Sequence, residues 1–237
     1  MTIQPFSLLL GSGASLGLAW SAWQAPIEER GELLRAGLSV LAGAVLGGRA
    51  YAVWQNWSYY RQYPLEALEP WRGGYAWSGA LLFSVLTLAL YSKVKRKPFG
   101  RLADRLAPLL LCAAAGAWLG CWFQGCAYGL TSDAWWALPA RDEWGRLDNR
   151  LPVQLLGALL AVLVLWLGER LSLHKPALPQ GALAALSLLA LSLQILVLSY
   201  LRLDPAPFFQ GLRLEAWEAL GAGVFASLWL VILFVRK

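Results

Sequence analysis

The chain has 237 residues, of which 58% are hydrophobic and 14% are charged, and its formal net charge is +6. Soluble domains carry about 25% charged residues and use amphipathic helices, so this composition excludes an ordinary soluble domain. The basic residues lie in short loops instead of forming a solvated stripe. We therefore interpret the charge as a determinant of membrane topology and expect no binding to nucleic acid.

Apolar stretches long enough to cross a bilayer as a helix recur along the whole chain. They predict an all-α membrane protein with seven transmembrane helices, which form a single domain over residues 1–237. No cleavable signal peptide is expected, because the first residues lack a basic segment. The predicted spans are 5–24, 32–54, 73–92, 102–123, 151–170, 181–201 and 216–235.

The lysines indicate how these spans are oriented. They lie between spans 3 and 4, between spans 5 and 6, and after span 7: Lys93, Lys95, Lys97, Lys175 and Lys237. All three places fall on one side of the membrane, and the positive-inside rule makes that side cytoplasmic. We therefore expect an N-out/C-in protein.

Three long connections then face outward, at 55–72, 124–150 and 202–215. Together they hold a large share of the Trp and Tyr, which favour the headgroup layer of a membrane: Trp57, Tyr59, Tyr60, Trp71, Trp135, Trp136 and Trp144. The stretch NWSYYRQYPLEALEPWRGG (56–74) has a short amphipathic segment between its two prolines, which predicts an outer arm lying flat at the membrane surface. The alternative is that Trp57 and Trp71 only anchor the ends of the neighbouring spans.

Few side chains have the chemistry of a catalytic or metal site. The single histidine, His174, lies in a cytoplasmic loop, which predicts a solvated residue and argues against haem ligation and His-based catalysis in the membrane. Cys112, Cys121 and Cys126 lack the spacing of a tetrahedral metal site, so no metal is expected. Cys121 and Cys126 are either buried thiols or, if the helix ends between them, a disulfide on the oxidising side.

Three arginines lie at membrane depth, where a buried charge usually marks function. Arg49 lies within LGGRAYAVW, Arg150 opens span 5 and Arg202 closes span 6. All three belong to the outer half of the membrane, so we expect them to approach one another or to bind the phosphate of an anionic lipid. The alternative is that Arg150 and Arg202 merely extend to the interface from the span ends.

Six segments, taken in order, resemble the prolipoprotein diacylglyceryl transferase family of seven-span inner-membrane enzymes. They are LGGRAYAVW (46–54), the arm (56–74), GGYAWSGA (73–80), LADRLAPLLL with GAWLGCWFQGCAYG (102–111 and 116–129), RLPVQLLGALL (150–160) and YLRLDPAPFFQGLRLEAWEALG (200–221). The resemblance implies a multi-pass protein of the bacterial inner (cytoplasmic) membrane and transfer of a diacylglyceryl group from phosphatidylglycerol to a cysteine thiol. The surviving residues that it implies as lipid or anion contacts are Arg49, Arg150, Gln154 and Arg202.

The positions at which this family carries its catalytic groups are replaced here. The His position of the family is Ser78, its signature Arg is Trp118, and an Arg–Glu pair aligns with Ile195 and Ser199. These side chains can neither generate a thiolate nor neutralise a phosphate leaving group at useful strength. The resemblance therefore predicts a non-catalytic member, a pseudoenzyme that keeps only the frame of the family.

Such a frame is expected to act as an accessory subunit of a larger bacterial membrane complex, of photosynthetic or respiratory type, packed against other integral membrane subunits. Trp118 and Trp122 share a helix face and, with Trp57 and Trp71, offer an aromatic surface to a partner or to bound lipid, quinone or pigment. No other cofactor is expected. The alternative is a divergent but active phosphatidylglycerol–prolipoprotein diacylglyceryl transferase.

Overall fold

The computed structural model describes residues 4–69, 74–174 and 178–235, and these residues are mostly helical. The helices are α1 (Pro5–Gln24), α2 (Ile27–Gln55), α3 (Trp57–Tyr60), α4 (Pro64–Ala67), α5 (Trp77–Lys95), α6 (Phe99–Gln124), α7 (Val153–His174), α8 (Ala182–Ser199) and α9 (Leu214–Val235). Two short antiparallel hairpins join strand β1 (Leu138–Arg141) to β2 (Leu147–Arg150) and strand β3 (Phe208–Phe209) to β4 (Leu212–Arg213).

The expected all-α membrane fold is confirmed. Within the described ranges, six helices are long and apolar enough to cross a membrane, namely α2 and α5 to α9. Helix α1 has a sufficient length of 20 residues, but its glycines, serines and tryptophans dilute its apolar character. The count of seven spans and the N-out/C-in orientation therefore stay predictions, and two of the lysines behind that orientation, Lys175 and Lys237, lie outside the described residues.

The chain divides into two compact units, so the single domain also stays a prediction. The smaller unit covers residues 26–103, and the larger unit combines residues 1–25 with 104–237. In the smaller unit, α2 packs against α5 through glycine: a Cβ at Gly47 would overlap the Phe83 side chain, and one at Gly79 would overlap Tyr51. Small residues let two helices approach closely in lipid, where the hydrophobic effect does not drive their association.

In the larger unit, glycines also allow close packing, here between α1 and α6. A Cβ at Gly13 would overlap the carbonyl of Cys112, and one at Gly116 would overlap the carbonyl of Leu9. The start of α8 is held by Asp104 of α6, whose carboxylate accepts the N–H groups of Gly181 at 2.6 Å and Ala184 at 2.9 Å. A carboxylate at a helix N-terminus satisfies unpaired N–H groups and the helix dipole together.

Candidate functional site

The loop that follows α6 is closed by a disulfide. The helix ends at Gln124, and Cys121 is bonded to Cys126 with their Cα atoms 4.6 Å apart. The condition set by the sequence, a helix end between the two cysteines, is met, so the disulfide alternative is correct and the buried-thiol alternative is wrong. Gly125 fits this turn because its φ is +77° and a Cβ there would lie 2.6 Å from the carbonyl oxygen of Asp142.

The backbone of this loop brings together three motifs that are distant in sequence, all of them in the larger unit. Gly129 forms an antiparallel bridge with Arg202, and Thr131 forms one with Arg150. Leu130 connects both sides, because its N–H donates to Leu201 and its carbonyl accepts from Leu151, each at 2.9 Å. This loop, which begins at Gly125 and is called the signature loop below, therefore lies between the residues that precede α7 and those that follow α8.

Arg150 is buried at the centre of this arrangement, with only 4% of the residue exposed. Its Nη2 lies 3.0 Å from Oδ2 of Asp148 and 3.4 Å from Oδ2 of Asp142. Its guanidinium lies 4.7 Å from the centroid of the Tyr128 ring, and burial raises the pKa of that phenol, which keeps the ring neutral. The Nε and Nη1 atoms of Arg150 are buried without a hydrogen-bond partner among the described residues.

Gln154 lies four residues after Arg150, in the first turn of α7, and is 1% exposed. Its Nε2 donates to the carbonyl of Cys126 at 3.0 Å, which ties the start of α7 to the disulfide loop. Its Oε1 is buried and has no hydrogen-bond partner in the described part of the chain. Two donors on Arg150 and one acceptor on Gln154 thus remain available to a polar ligand, and an unmatched buried polar group costs about 1–3 kcal/mol.

Arg202 belongs to a closed network of two arginines and two carboxylates. Its Nε and Nη2 lie 2.8 and 2.6 Å from the two oxygens of Asp204, and its Nη1 lies 2.7 Å from Glu215. Arg213 joins the same carboxylates, 2.8 Å from Glu215 and 3.1 Å from Asp204. Burial alone would lower the pKa of the Arg202 guanidinium, but the hydrogen bond to Asp204 and the charge of Glu215 outweigh it and raise that pKa.

The sequence reasoning found Arg202 but missed the other three members of the network, Asp204, Arg213 and Glu215. A signal for them is present, because Arg202-Leu-Asp204 and Arg213-Leu-Glu215 each pair opposite charges two residues apart. In extended chain, residues at that spacing lie on the same face. The pairing of Arg202 with Glu215 still needed the β3–β4 hairpin, which the sequence analysis did not predict.

Arg49 lies in the smaller unit, where it binds the arm. Its Nε donates to the carbonyl of Ala67 at 3.1 Å, its Nη1 to Gly74 at 3.2 Å, and its Nη2 to Glu66. Its guanidinium also lies 5.2 Å from the centroid of the Tyr60 ring. Arg49 therefore fixes the arm to α2, while its approach to Arg150 and Arg202, which lie in the larger unit, stays a prediction.

The positions at which the sequence analysis predicted replaced charges are partly or fully buried, and the replacement itself stays a prediction. The ring of Trp118 lies against Gly157 of α7. Ser199 donates to the carbonyl of Leu196 at 2.7 Å, and Ile195 is partly buried on the same helix. Ser78, in the first turn of α5, has a buried Oγ without a hydrogen-bond partner among the described residues.

The described residues include three of the four tryptophans of the expected aromatic surface. Trp122 is partly buried in α6, and Trp57 is exposed at the start of the arm. Trp71 lies outside the described residues. A shared ligand surface for these rings and Trp118 therefore stays a prediction.

Comparison with known proteins identifies the family. The family model described as prolipoprotein diacylglyceryl transferase matches residues 1–235. The phosphatidylglycerol–prolipoprotein diacylglyceryl transferase of Parasynechococcus marenigrum is 32% identical over 221 residues, which cover 86% of this chain and 78% of that protein. Transferase 2 of Streptomyces coelicolor is 30% identical over 228 residues, 91% of this chain and 70% of that protein. A shorter match to the Trichormus variabilis transferase is 34% identical over 141 residues and spans 50% of that protein's length.

These comparisons overturn the prediction of a non-catalytic accessory subunit. The relatives carry the names of active transferases, and none of the similarities points to an accessory subunit. The prediction rested on the replacement of charged family positions by Ser78, Trp118, Ile195 and Ser199, although Arg49, Arg150 and Arg202 were expected to survive. In the structure, Arg150 and Arg202 each form ion pairs with carboxylates in the connections before α7 and after α8.

The similarities also confirm the family and the membrane location that the resemblance of the six sequence segments implied. The match extends over nearly the whole chain, and the six apolar helices agree with it. The chain is a multi-pass protein of the bacterial inner membrane and belongs to the prolipoprotein diacylglyceryl transferase family.

Proposed function

We propose that this protein transfers a diacylglyceryl group from phosphatidylglycerol to the thiol of a prolipoprotein cysteine. The observation that carries this proposal is the family match over residues 1–235, joined by relatives named for that transfer. In the reaction the thiolate sulfur bonds to the glycerol carbon of the diacylglyceryl group. The bond from that carbon to the phosphate oxygen breaks, and glycerol phosphate leaves with the electron pair.

The departing phosphate needs positive charge or N–H donors that are already in place. We propose Arg150 as the contact for this phosphate, because its Nε and Nη1 are buried donors without a hydrogen-bond partner in the described ranges. Oε1 of Gln154 would accept a hydrogen bond from a hydroxyl of the glycerol headgroup. Asp148 and Asp142 reduce the net charge at this place, but they also hold the guanidinium in one orientation.

Arg202 and Arg49 have positioning roles in this proposal. Arg202 is held by Asp204 and Glu215 and forms a backbone bridge to Gly129, so it supports the loop beside Arg150. Arg49 fixes the arm of the smaller unit through three backbone carbonyls. A direct contact of either arginine with an anion stays a prediction.

The thiol must lose its proton, and no imidazole can reach Arg150 to take it. Helix α7 has 22 residues, with Arg150 just before its start and His174 at its end. At 1.5 Å per residue the two ends are about 33 Å apart. We propose Asp148 as the proton acceptor because of its place beside the proposed phosphate contact. Its carboxylate lies 3.0 Å from Nη2 of Arg150 and is half exposed, so that an incoming thiol can approach it.

The ligands expected of an accessory subunit have no place in this reaction. Phosphatidylglycerol is the lipid that the proposed transfer consumes, and the second substrate is a lipoprotein precursor. Quinone, pigment and neighbouring membrane subunits followed from the overturned hypothesis and are not carried forward.

The test is transfer by the purified full chain in vesicles that contain phosphatidylglycerol. A lipobox peptide is added, and its mass gain by one diacylglyceryl group is measured by mass spectrometry. We expect transfer by the wild type, a loss of at least about 100-fold in Arg150→Gln, and little change in Arg146→Gln, whose side chain is exposed in the same hairpin. Absence of transfer, in vesicles where a related transferase is active, would contradict the proposal.

A further inference from the structure

The β3–β4 hairpin exposes two phenyl rings at its tip. Phe208 is 66% exposed and Phe209 is 57% exposed. The turn between the strands is formed by Gln210 and Gly211, with φ values of +46° and +79°. Two successive residues with positive φ make the tight turn that suits the twist of a hairpin, so the rings sit on a short, defined element.

This hairpin is fixed to its surroundings. Arg213 of β4 is part of the buried network with Asp204 and Glu215. The indole Nε1 of Trp217 donates to the carbonyl of Phe209 at 2.9 Å, and the N–H of Leu214 donates to Pro207 at 2.8 Å. The structure therefore holds two exposed apolar rings in place instead of letting them fold inward.

The position of Phe209 relative to α9 gives its depth. Its ring centroid lies 6.2 Å from that of Trp217, and Trp217 lies in the first turn of α9. Helix α9 is one of the helices that can cross a membrane. The exposed side chains of Leu220, Val224 and Leu228 continue from Trp217 along one face of it. Phe209 thus extends the apolar surface of a spanning helix.

We propose that this hairpin, residues Phe208–Arg213 with Trp217, inserts its aromatic rings into the headgroup–acyl boundary of the membrane leaflet at that end of α9. Continuity with the exposed apolar face of α9 favours a lipid surface. The charges at its base, on Arg202, Asp204, Arg213 and Glu215, are paired with one another and leave no net charge to attract a charged partner. A ring that is apolar on its body and polar at one N–H, as in Trp217, favours this layer.

Site-directed spin labelling of the full chain in phosphatidylglycerol–phosphatidylethanolamine vesicles tests this inference, which does not depend on the proposed reaction. Cys112, the one cysteine outside the disulfide, is first replaced by serine. Labels are then attached at Phe208→Cys and, separately, at Phe209→Cys. Glu143→Cys, exposed in the turn of the other hairpin, is the water control, and Leu228→Cys, exposed near the middle of α9, is the lipid control.

We expect labels at 208 and 209 to collide with oxygen, which concentrates in lipid, more often than with a water-soluble nickel chelate. Their oxygen-to-nickel ratio should exceed that at 143 and approach that at 228. A ratio equal to that at 143 would place the rings in water and overturn the inference. Low accessibility to both reagents would overturn it too, because the rings would then be covered by a second copy or by a peptide.

A second variant tests whether the Trp217 hydrogen bond holds Phe209 in place. Trp217→Phe keeps an aromatic ring but removes the N–H that donates to Phe209. We expect the label at 209 to become more mobile while its oxygen-to-nickel ratio stays above that at 143. An unchanged mobility would contradict the role given to the Trp217 hydrogen bond.

Discussion

The indole of Trp118 lies against Gly157, so closely that a Cβ on residue 157 would overlap the ring. This contact joins α6 to α7 just below the loop that carries the disulfide. The sequence analysis predicted that this ring replaces an arginine of the family, and a glycine on the facing helix accommodates it. Two residues that look unrelated in the sequence therefore form one packing unit.

Gly157→Val should destabilise the protein by about 1–3 kcal/mol, because overpacking forces side chains or backbone to shift. Trp118→Leu should relieve most of this overlap. The double variant should therefore lose at least about 1 kcal/mol less unfolding free energy than the two single variants lose together. Thermal unfolding in mild detergent measures this. Gly168→Ala is the control in the same helix, since a Cβ there meets nothing within 4 Å; equal effects at 157 and 168 would argue against the contact.

Gly125→Ala should be more harmful than Gly145→Ala. Both glycines have positive φ, +77° and +80°, so each substitution introduces backbone strain of about 1–2 kcal/mol. Only residue 125 also brings a Cβ to 2.6 Å from the carbonyl oxygen of Asp142, whereas residue 145 faces open space. The difference between the two unfolding free energies isolates the contact, and equal losses would show that the turn relaxes around the added atom.

The disulfide should be detectable by counting thiols. Denatured but unreduced protein should expose one reactive thiol, that of Cys112, and reduced protein should expose three. Replacing Cys121 and Cys126 by serine should lower the free energy of unfolding by about 2 kcal/mol, the chain-entropy value for so short a loop. Cys112→Ser is the matched control, and three reactive thiols before reduction would contradict the bond.

Arg213→Met should destabilise the protein by about 3–5 kcal/mol, the range measured when one partner of a buried ion pair is removed. The substitution leaves Asp204 and Glu215 with Arg202 alone, so two partly buried carboxylates then share one guanidinium. Arg141→Met is the control, because Arg141 is exposed and its side chain donates only to the carbonyl of Gly145 among the contacts described. Similar losses in both variants would mean that the network adds no more than an exposed arginine does.

The apolar runs predicted the helices well, because a long uniformly apolar stretch can be recognised in the sequence without knowing what packs against it. The ends were less visible. Helix α2 begins at Ile27 and not at 32, because Glu28 and Glu29 stabilise a helix N-terminus although they are not apolar. Helix α5 begins at Trp77 and not at 73, because the chain before it is extended and Gly74 has a φ of +74°.

The charged site was harder to predict, because its pairs are created by turns. Asp142 accepts the N–H groups of Trp144 and Arg146 in the β1–β2 turn, and this turn brings its carboxylate to Arg150. Arg202 reaches Glu215 only through the β3–β4 hairpin. The sequence analysis considered each family position alone, so it named Arg150 and Arg202 but missed the carboxylates that pair with them.

The bridge between Gly129 and Arg202 also sets an order of assembly. At about 5–20 residues per second, the ribosome makes residue 202 about 4–15 s after residue 129. The signature loop therefore waits for two further helices before its backbone partners exist. The disulfide needs only residues that are already made, so it can hold the loop in its bent form during this delay. The backbone pairing of this loop is therefore completed only after α7 and α8 have been made.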